Sequence, residues 1–260
     1  MINQIKKELT QAMTKQNMFL YLSIILLIPC IQFALVYDSY QFFTPEEVFE
    51  ESVSILPAML FPVLAILVYI PSFISEYKNN FLTYTRTRVH LKDYLMAKGI
   101  VNALLSGVVL FLMIFITYLF VRFIEPLVGL VQYTPISEST IEPSNTFSFL
   151  IGYSPLLYAL IYALWVGLNA ALYSTLAYFL ILSINNIFVA ISIPFVGYHV
   201  FNFVTGILQM PQFSPLSTIF PFNITAQPIW TIFIPFLILL LVNFIIYKVI
   251  LQTKKEWVFN

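Results

Sequence analysis

The chain has 260 residues, 60% of them hydrophobic and 9% charged, with twelve basic and twelve acidic side chains and a formal net charge of zero. A water-soluble domain needs roughly a quarter of its residues charged, so this composition excludes one and demands a membrane protein. The even charge balance offers nothing to nucleic acid, and the single cysteine, Cys30, excludes an intramolecular disulfide, a thiol zinc site and a redox pair.

About 20 uncharged apolar residues span a bilayer core as a helix. Six runs qualify: Phe19 to Tyr37, Val53 to Ile74, Gly99 to Val121, Pro155 to Leu182, Ile187 to Ile207 and Ile229 to Tyr247. They are apolar on every face, whereas barrel strands alternate with period two, so the expected fold is an all-α integral membrane protein with six transmembrane helices. With these spans, Lys6, Lys7, Lys15, Lys78, Arg86, Arg88, Lys92, Lys98, Lys248, Lys254 and Lys255 fall on one side, and Arg122 alone on the other. The positive-inside rule then puts both termini in the cytoplasm of a multi-pass cell-membrane protein. Asp38, Glu46, Glu47, Glu50, Glu51, Glu125, Glu138 and Glu142 fall outside.

Residues 1–17 are too polar for a cleavable signal peptide. Ile2, Ile5, Leu9, Ala12 and Met13 recur at helical spacing, with Lys6, Lys7, Glu8, Gln11 and Lys15 elsewhere around the axis. This predicts an amphipathic interfacial helix, apolar face in the acyl boundary and lysines toward anionic headgroups, ahead of a membrane domain over residues 18–260. In the first outer loop, Thr44-Pro45-Glu46-Glu47 is a helix-start signal. The second span carries Pro57, Pro62 and Pro71 and is expected to be bent.

Between the second and third spans, residues 75–98 form a charge-rich amphipathic stretch with five basic side chains. A simple tether needs only a few residues, so this segment has room to contact a partner at the cytoplasmic face. Farther on, the outer segment Arg122 to Tyr153 is expected to order partly against the spans. Ser183 to Asn186 closes a tight hairpin between the fourth and fifth spans. Leu208 to Pro228 is apolar but broken by Pro211, Pro215, Pro221 and Pro228, which predicts a re-entrant or interfacial excursion before the last span. Trp230 and Trp257 read as interfacial anchors.

Glu76, Phe81-Leu82, the basic pair Arg86 and Arg88, Val89, Tyr94-Leu95 and Lys98 occur in an order that resembles the cytoplasmic coupling segment of ABC type-2 transporter permeases. The amphipathic N-terminal helix, six spans with both ends inside and a proline-broken excursion before the last span agree with that family across most of the chain. Asn79-Asn80 stands where the family often has a glycine. The resemblance implies a permease subunit of an ATP-binding-cassette exporter working as a homo- or heterodimer in the lipid bilayer. It also implies that each coupling segment is seated in a cleft of a separate cytoplasmic ATPase, which binds ATP and magnesium. Glu76, Arg86, Arg88 and Lys92 are then the expected coupling contacts.

Two features of the residues themselves agree with an energy source in another chain. No GxxxxGK followed by Ser or Thr occurs, so no phosphate cradle of that kind is present. None of the six runs contains Asp, Glu, Lys or Arg, although ion-coupled carriers usually keep a titrating relay at membrane depth. Asn102, Asn169, His199 and Asn202 are candidates for lining a path, against the simpler reading that amides and hydroxyls bond spans together. The expected cargo is an amphipathic peptide, antibiotic or lipid-like compound. The alternatives are a non-transporting assembly or sensory subunit and, with two histidines and no carboxylate at membrane depth, an intramembrane enzyme.

Overall fold

The computed structural model describes residues 2–78, 91–134, 145–222 and 224–253, the side chains of residues 77, 78, 91 and 92 excepted. The protein is all-α. Among the described residues, the only β pairing is an isolated bridge between Phe42 and Tyr133. Six helices are long and apolar enough to cross a membrane: Lys15–Val36, Leu56–Glu76, Asp93–Val128, Pro155–Ser183, Ile187–Ile207 and Trp230–Thr253. Each contains most or all of one predicted run.

Helix α1 (Ile2–Ala12) is separate from α2 (Lys15–Val36), the first spanning helix. Thr14 breaks them apart with an extended backbone while its hydroxyl accepts from the Asn17 amide at 3.2 Å, capping α2. The predicted outer helix is present as α3 (Pro45–Ser54). The Thr44 hydroxyl accepts from the Glu47 amide at 3.3 Å, and the Glu47 carboxylate accepts from the Phe43 amide at 2.8 Å.

The second span is interrupted near Pro57 and Pro71, whereas Pro62 lies inside an unbroken helix. A turn at Ile55 separates α3 from α4 (Leu56–Leu67), which has Pro57 in its first turn, and residues 68–69 separate α4 from α5 (Ile70–Lys78). Pro71 has no N–H to give the Leu67 carbonyl and its ring crowds that group, so the helix restarts.

Helix α6 (Leu91–Leu119) runs on through a π turn over Phe120–Ile124 into α7 (Glu125–Val128). Gly129 ends it with φ +68°, a left-handed cap that glycine adopts without strain. The helix thus outlasts the predicted span and carries Arg122 and Glu125 with it.

Helices α8 (Pro155–Ser183) and α9 (Ile187–Ile207) form the predicted hairpin, with the Asn186 side chain accepting from the Val189 amide. After a 3₁₀ turn at Pro211–Phe213 comes α10 (Pro215–Ile219), then α11 (Trp230–Thr253). The Thr218 and Ile219 carbonyls accept from Trp165 Nε1 at 2.9 Å and the Tyr162 hydroxyl at 3.2 Å. At 1.5 Å per residue, those partners lie about 10–15 Å along α8 from its first residue. The middle of the proline-broken segment, Ser214 to Pro221, is therefore packed into the bundle, while its two ends stay exposed.

Helices α6 and α8 make the closest crossing. An added Cβ at Gly107 would come 3.1 Å from the Gly167 carbonyl, and one at Gly167 would come 2.8 Å from the Gly107 carbonyl, so the helices touch backbone to backbone. Around this axis the core is aromatic. Tyr94, Tyr118, Tyr158, Tyr162, Tyr178 and Tyr198 are all fully buried, and the Phe49 ring packs edge-on against Tyr118, Tyr158 and Tyr162. These rings hold helices together; α9 and α11 keep most of their apolar surface outside the bundle.

Candidate functional site

The most unusual chemistry lies at the end of the bundle where α1, the end of α5 and the start of α6 converge. Lys98 on α6 is fully buried, and its Nζ donates to Glu8 Oε2 on α1 at 2.6 Å and to Glu76 Oε2 on α5 at 2.7 Å. Charges taken out of water are tolerated only when paired and hydrogen-bonded, and the surroundings meet that demand. The Tyr94 hydroxyl donates to Glu76 at 2.9 Å, Gln4 Nε2 to Glu8 Oε1 at 3.2 Å, and the Tyr69 hydroxyl lies 3.5 Å from Glu8 Oε2. The ammonium also sits 4.8 Å from the Tyr94 ring centre, within cation–π range.

Each partner is positioned by its own element. The restart of the second span after residues 68–69 brings Tyr69 alongside, and Tyr178 of α8 bonds the Leu95 carbonyl at 2.8 Å, fixing the first turns of α6. Glu8 was expected on the polar side of the N-terminal helix, yet it is 2% exposed. The docked face of α1 contains Ile5, Glu8, Leu9 and Ala12, so this face packs on the bundle, and Ile2, Lys6 and Lys7 remain outside.

Of the expected coupling residues, the structure brings Glu76 into this junction. Arg86 and Arg88 lie outside the described residues, as does the Lys92 side chain. Glu8 and Tyr69 were not singled out from the sequence, and Lys98 entered only as the last residue of the coupling-segment resemblance, although a signal for their pairing existed. Ile5, Glu8 and Ala12 recur on one face of the first helix, so Glu8 interrupts an apolar stripe. Lys98 follows Tyr94 by four residues on a face that continues through Val101 and Leu105. The six apolar runs do lack charge, but the helices extend past the runs and carry ionised groups into a buried position at one end.

The opposite end has a second polar layer. Glu46 Oε1 accepts from Arg122 Nη1 at 3.5 Å and from the Tyr118 hydroxyl at 3.4 Å. Buried Glu125 accepts from the Val131 amide at 2.8 Å and the Tyr133 hydroxyl at 2.7 Å. Burial, then the hydrogen bond to the Glu125 carboxylate, pushes the Tyr133 phenol well above its ordinary value. Asn145 donates to Glu50 and, at 3.3 Å, to the Tyr158 hydroxyl, which fastens the chain ahead of α8 to α3 and α8.

The four path candidates do not share one environment. Asn102 is buried and joins Ser174 and Ser106: Ser174 Oγ lies 2.6 Å from Asn102 Oδ1, and Ser106 Oγ lies 2.9 Å from both Ser174 Oγ and the Ala65 carbonyl. Two hydroxyl protons cannot serve all three contacts. With the amide turned end for end, Asn102 donates to Ser174, Ser174 to Ser106, and Ser106 to Ala65, so each of the three contacts has its own proton. Asn169 bonds the Trp165 carbonyl within its own helix at 2.9 Å. His199 Nε2 lies 3.1 Å from the Met59 carbonyl, linking α9 to α4. Asn202, one turn on, is half-buried. An open groove of about 450 Å³ lies elsewhere, between the far ends of α2 and α4, lined by Gln32, Leu35, Ile55 and Met59 among others.

No family model, curated protein or solved structure matches the chain. Among the described residues, no group of three or more His, Cys, Asp or Glu side chains is arranged to hold a metal ion.

Proposed function

We propose that the chain is the membrane permease subunit of an ATP-binding-cassette exporter, moving an amphipathic substrate with energy from a separate ATPase. The observation that carries this reading is the pair of ion pairs from Lys98 to Glu76 and to Glu8. The helix ends that flank residues 79–90, the end of α5 and the start of α6, are fastened to each other and to the N-terminal helix at Lys98. A push on that segment from the cytoplasmic side would reach both spans and α1 together. A free tether would absorb such a push. The order of Glu76, Arg86, Arg88, Tyr94-Leu95 and Lys98, which resembles the coupling segment of ABC type-2 permeases, supports the same reading.

In this mechanism ATP-driven closure of the partner subunits presses on residues 75–98, with Arg86, Arg88 and Lys92 as contacts and Glu76 as the link to the spans. Two permease subunits enclose the path. The lack of a phosphate-cradling motif in this chain fits a division of labour in which the partner holds ATP and magnesium.

The test is a mild detergent pull-down of the tagged chain from its native membranes, with mass spectrometry and an ATPase assay of what copurifies. Recovery of an ATP-binding-cassette ATPase, lost with Arg86→Glu plus Arg88→Glu while membrane insertion is retained, is the expected result. Clean absence of any ATPase would overturn the proposal in favour of a non-transporting assembly or sensory subunit.

A further inference from the structure

Glu8 and Glu76 both place Oε2 against the one ammonium of Lys98, at 2.6 and 2.7 Å. Among the described residues the junction therefore holds two carboxylates and one cation, and its other bonded partners, Gln4, Tyr69 and Tyr94, carry no formal charge. Seen from Glu8, the attraction of Lys98 is partly offset by repulsion from Glu76 while Glu76 stays in place. Once Glu76 leaves, Glu8 faces an uncompensated ammonium in a site sheltered from screening ions.

The two carboxylates differ in their freedom to leave. The Glu8 side chain is 3% exposed and that of Lys98 is 1% exposed, whereas that of Glu76 is 33% exposed. Glu76 also stands two residues before the end of α5, at the threshold of residues 79–90. It can exchange the ammonium for water with a small movement of the helix end. Glu8 can leave only if α1 lifts from α6.

We propose that Lys98 is a charge-operated latch on the N-terminal helix: engagement of Glu76 weakens the hold on α1, and withdrawal of Glu76 tightens it. The state of the α5 end at Glu76 is thereby relayed to α1 with a defined sign. A purely structural ion-pair network predicts the reverse, since loss of any member would loosen the whole. The latch rests on the geometry of this junction and operates without any partner protein, so it stands or falls separately from the transport reading.

Ala12 is 3% exposed at the end of α1, so a thiol placed there reacts with a bulky reagent only when α1 lifts. The experiment uses the full-length protein with Cys30→Ser and Ala12→Cys, reconstituted in lipid, and follows the labelling rate with a membrane-impermeant maleimide. Glu76→Gln is expected to slow labelling about fivefold or more, because it removes repulsion and leaves the Glu8 to Lys98 pair intact. Lys98→Met is expected to accelerate it. In the Glu8→Gln background the effect of Glu76→Gln should vanish. Faster or unchanged labelling with Glu76→Gln, or a slowing that persists without the Glu8 charge, would overturn the latch. Hydrogen exchange of the α1 amides in the Ala12 protein supplies the same comparison without an added thiol, with Glu76→Gln expected to raise protection.

Discussion

Glu8 and Lys98 stand ninety residues apart in sequence and 2.6 Å apart in space, each almost wholly withdrawn from solvent. The pair joins a helix that a hydropathy profile would leave outside the bundle to the start of the third span. Burial makes the contact consequential: an exposed pair would be worth little, whereas removing one member of a buried pair strands the other.

Lys98→Met alone is accordingly expected to cost about 3–5 kcal/mol of stability, because two carboxylates lose their shared cation. The double substitution Glu8→Gln plus Lys98→Met should recover a substantial part of that loss. Thermal midpoints of the detergent-solubilised protein, read by size-exclusion chromatography after heating, check both; additive losses would show that the two side chains are not coupled.

The glycines of α6, α8 and α9 should divide sharply. Gly167→Ala forces a Cβ to 2.8 Å from the Gly107 carbonyl and is expected to cost about 1–3 kcal/mol, with the two helices pushed apart. Gly197→Ala and Gly206→Ala meet nothing within 4 Å and should be neutral or gain up to about 1 kcal/mol from helix propensity. The same heating assay ranks the three variants.

Trp165→Phe removes the indole N–H that bonds the Thr218 carbonyl at 2.9 Å, and Tyr162→Phe removes the donor to the Ile219 carbonyl. Each leaves a buried acceptor unsatisfied at an expected cost of about 1–3 kcal/mol. The double variant should loosen α10 from the bundle, visible as faster hydrogen exchange over residues 214–220 with the exchange of α6 unchanged.

Tyr133 keeps its proton, and so its bond to Glu125, below the ordinary phenol value of about 10, because its folded value is raised above that of the unfolded chain. Its contribution to stability is present through neutral pH and is lost only in strongly alkaline solution. Tyr133→Phe should therefore lower the thermal midpoint by the same amount at pH 6 and pH 9. A difference that closes between those values would contradict the assignment.

Much of the architecture was legible because the bilayer restricts what a sequence can do. An apolar run of spanning length has to become a helix, and prolines weaken one, so the six spans and a bent second span follow from local chemistry, whereas the break falling at residues 68–69 while Pro62 stays inside α4 does not. The start of α3 at Thr44-Pro45 was equally local, since a hydroxyl, a proline and a first-turn acid act within four residues. The junction was not legible in the same way. Glu76 stood out because it opens a charged segment, whereas Glu8 and Lys98 each look like ordinary polar residues flanking a span.

The sequence by itself determined that this protein is a bundle of six membrane-spanning helices with a bent second span and a tight hairpin between the fourth and fifth, because those features depend on hydrophobic length, proline and turn chemistry within a few residues. Only the tertiary structure decided that α1 docks on α6, that Glu8 and Glu76 share Lys98, and that the middle of the proline-broken segment before α11 is buried against Trp165 and Tyr162. These contacts join residues distant in the chain, and their existence depends on helix rotation and the close approach at Gly107 and Gly167, which no local pattern specifies.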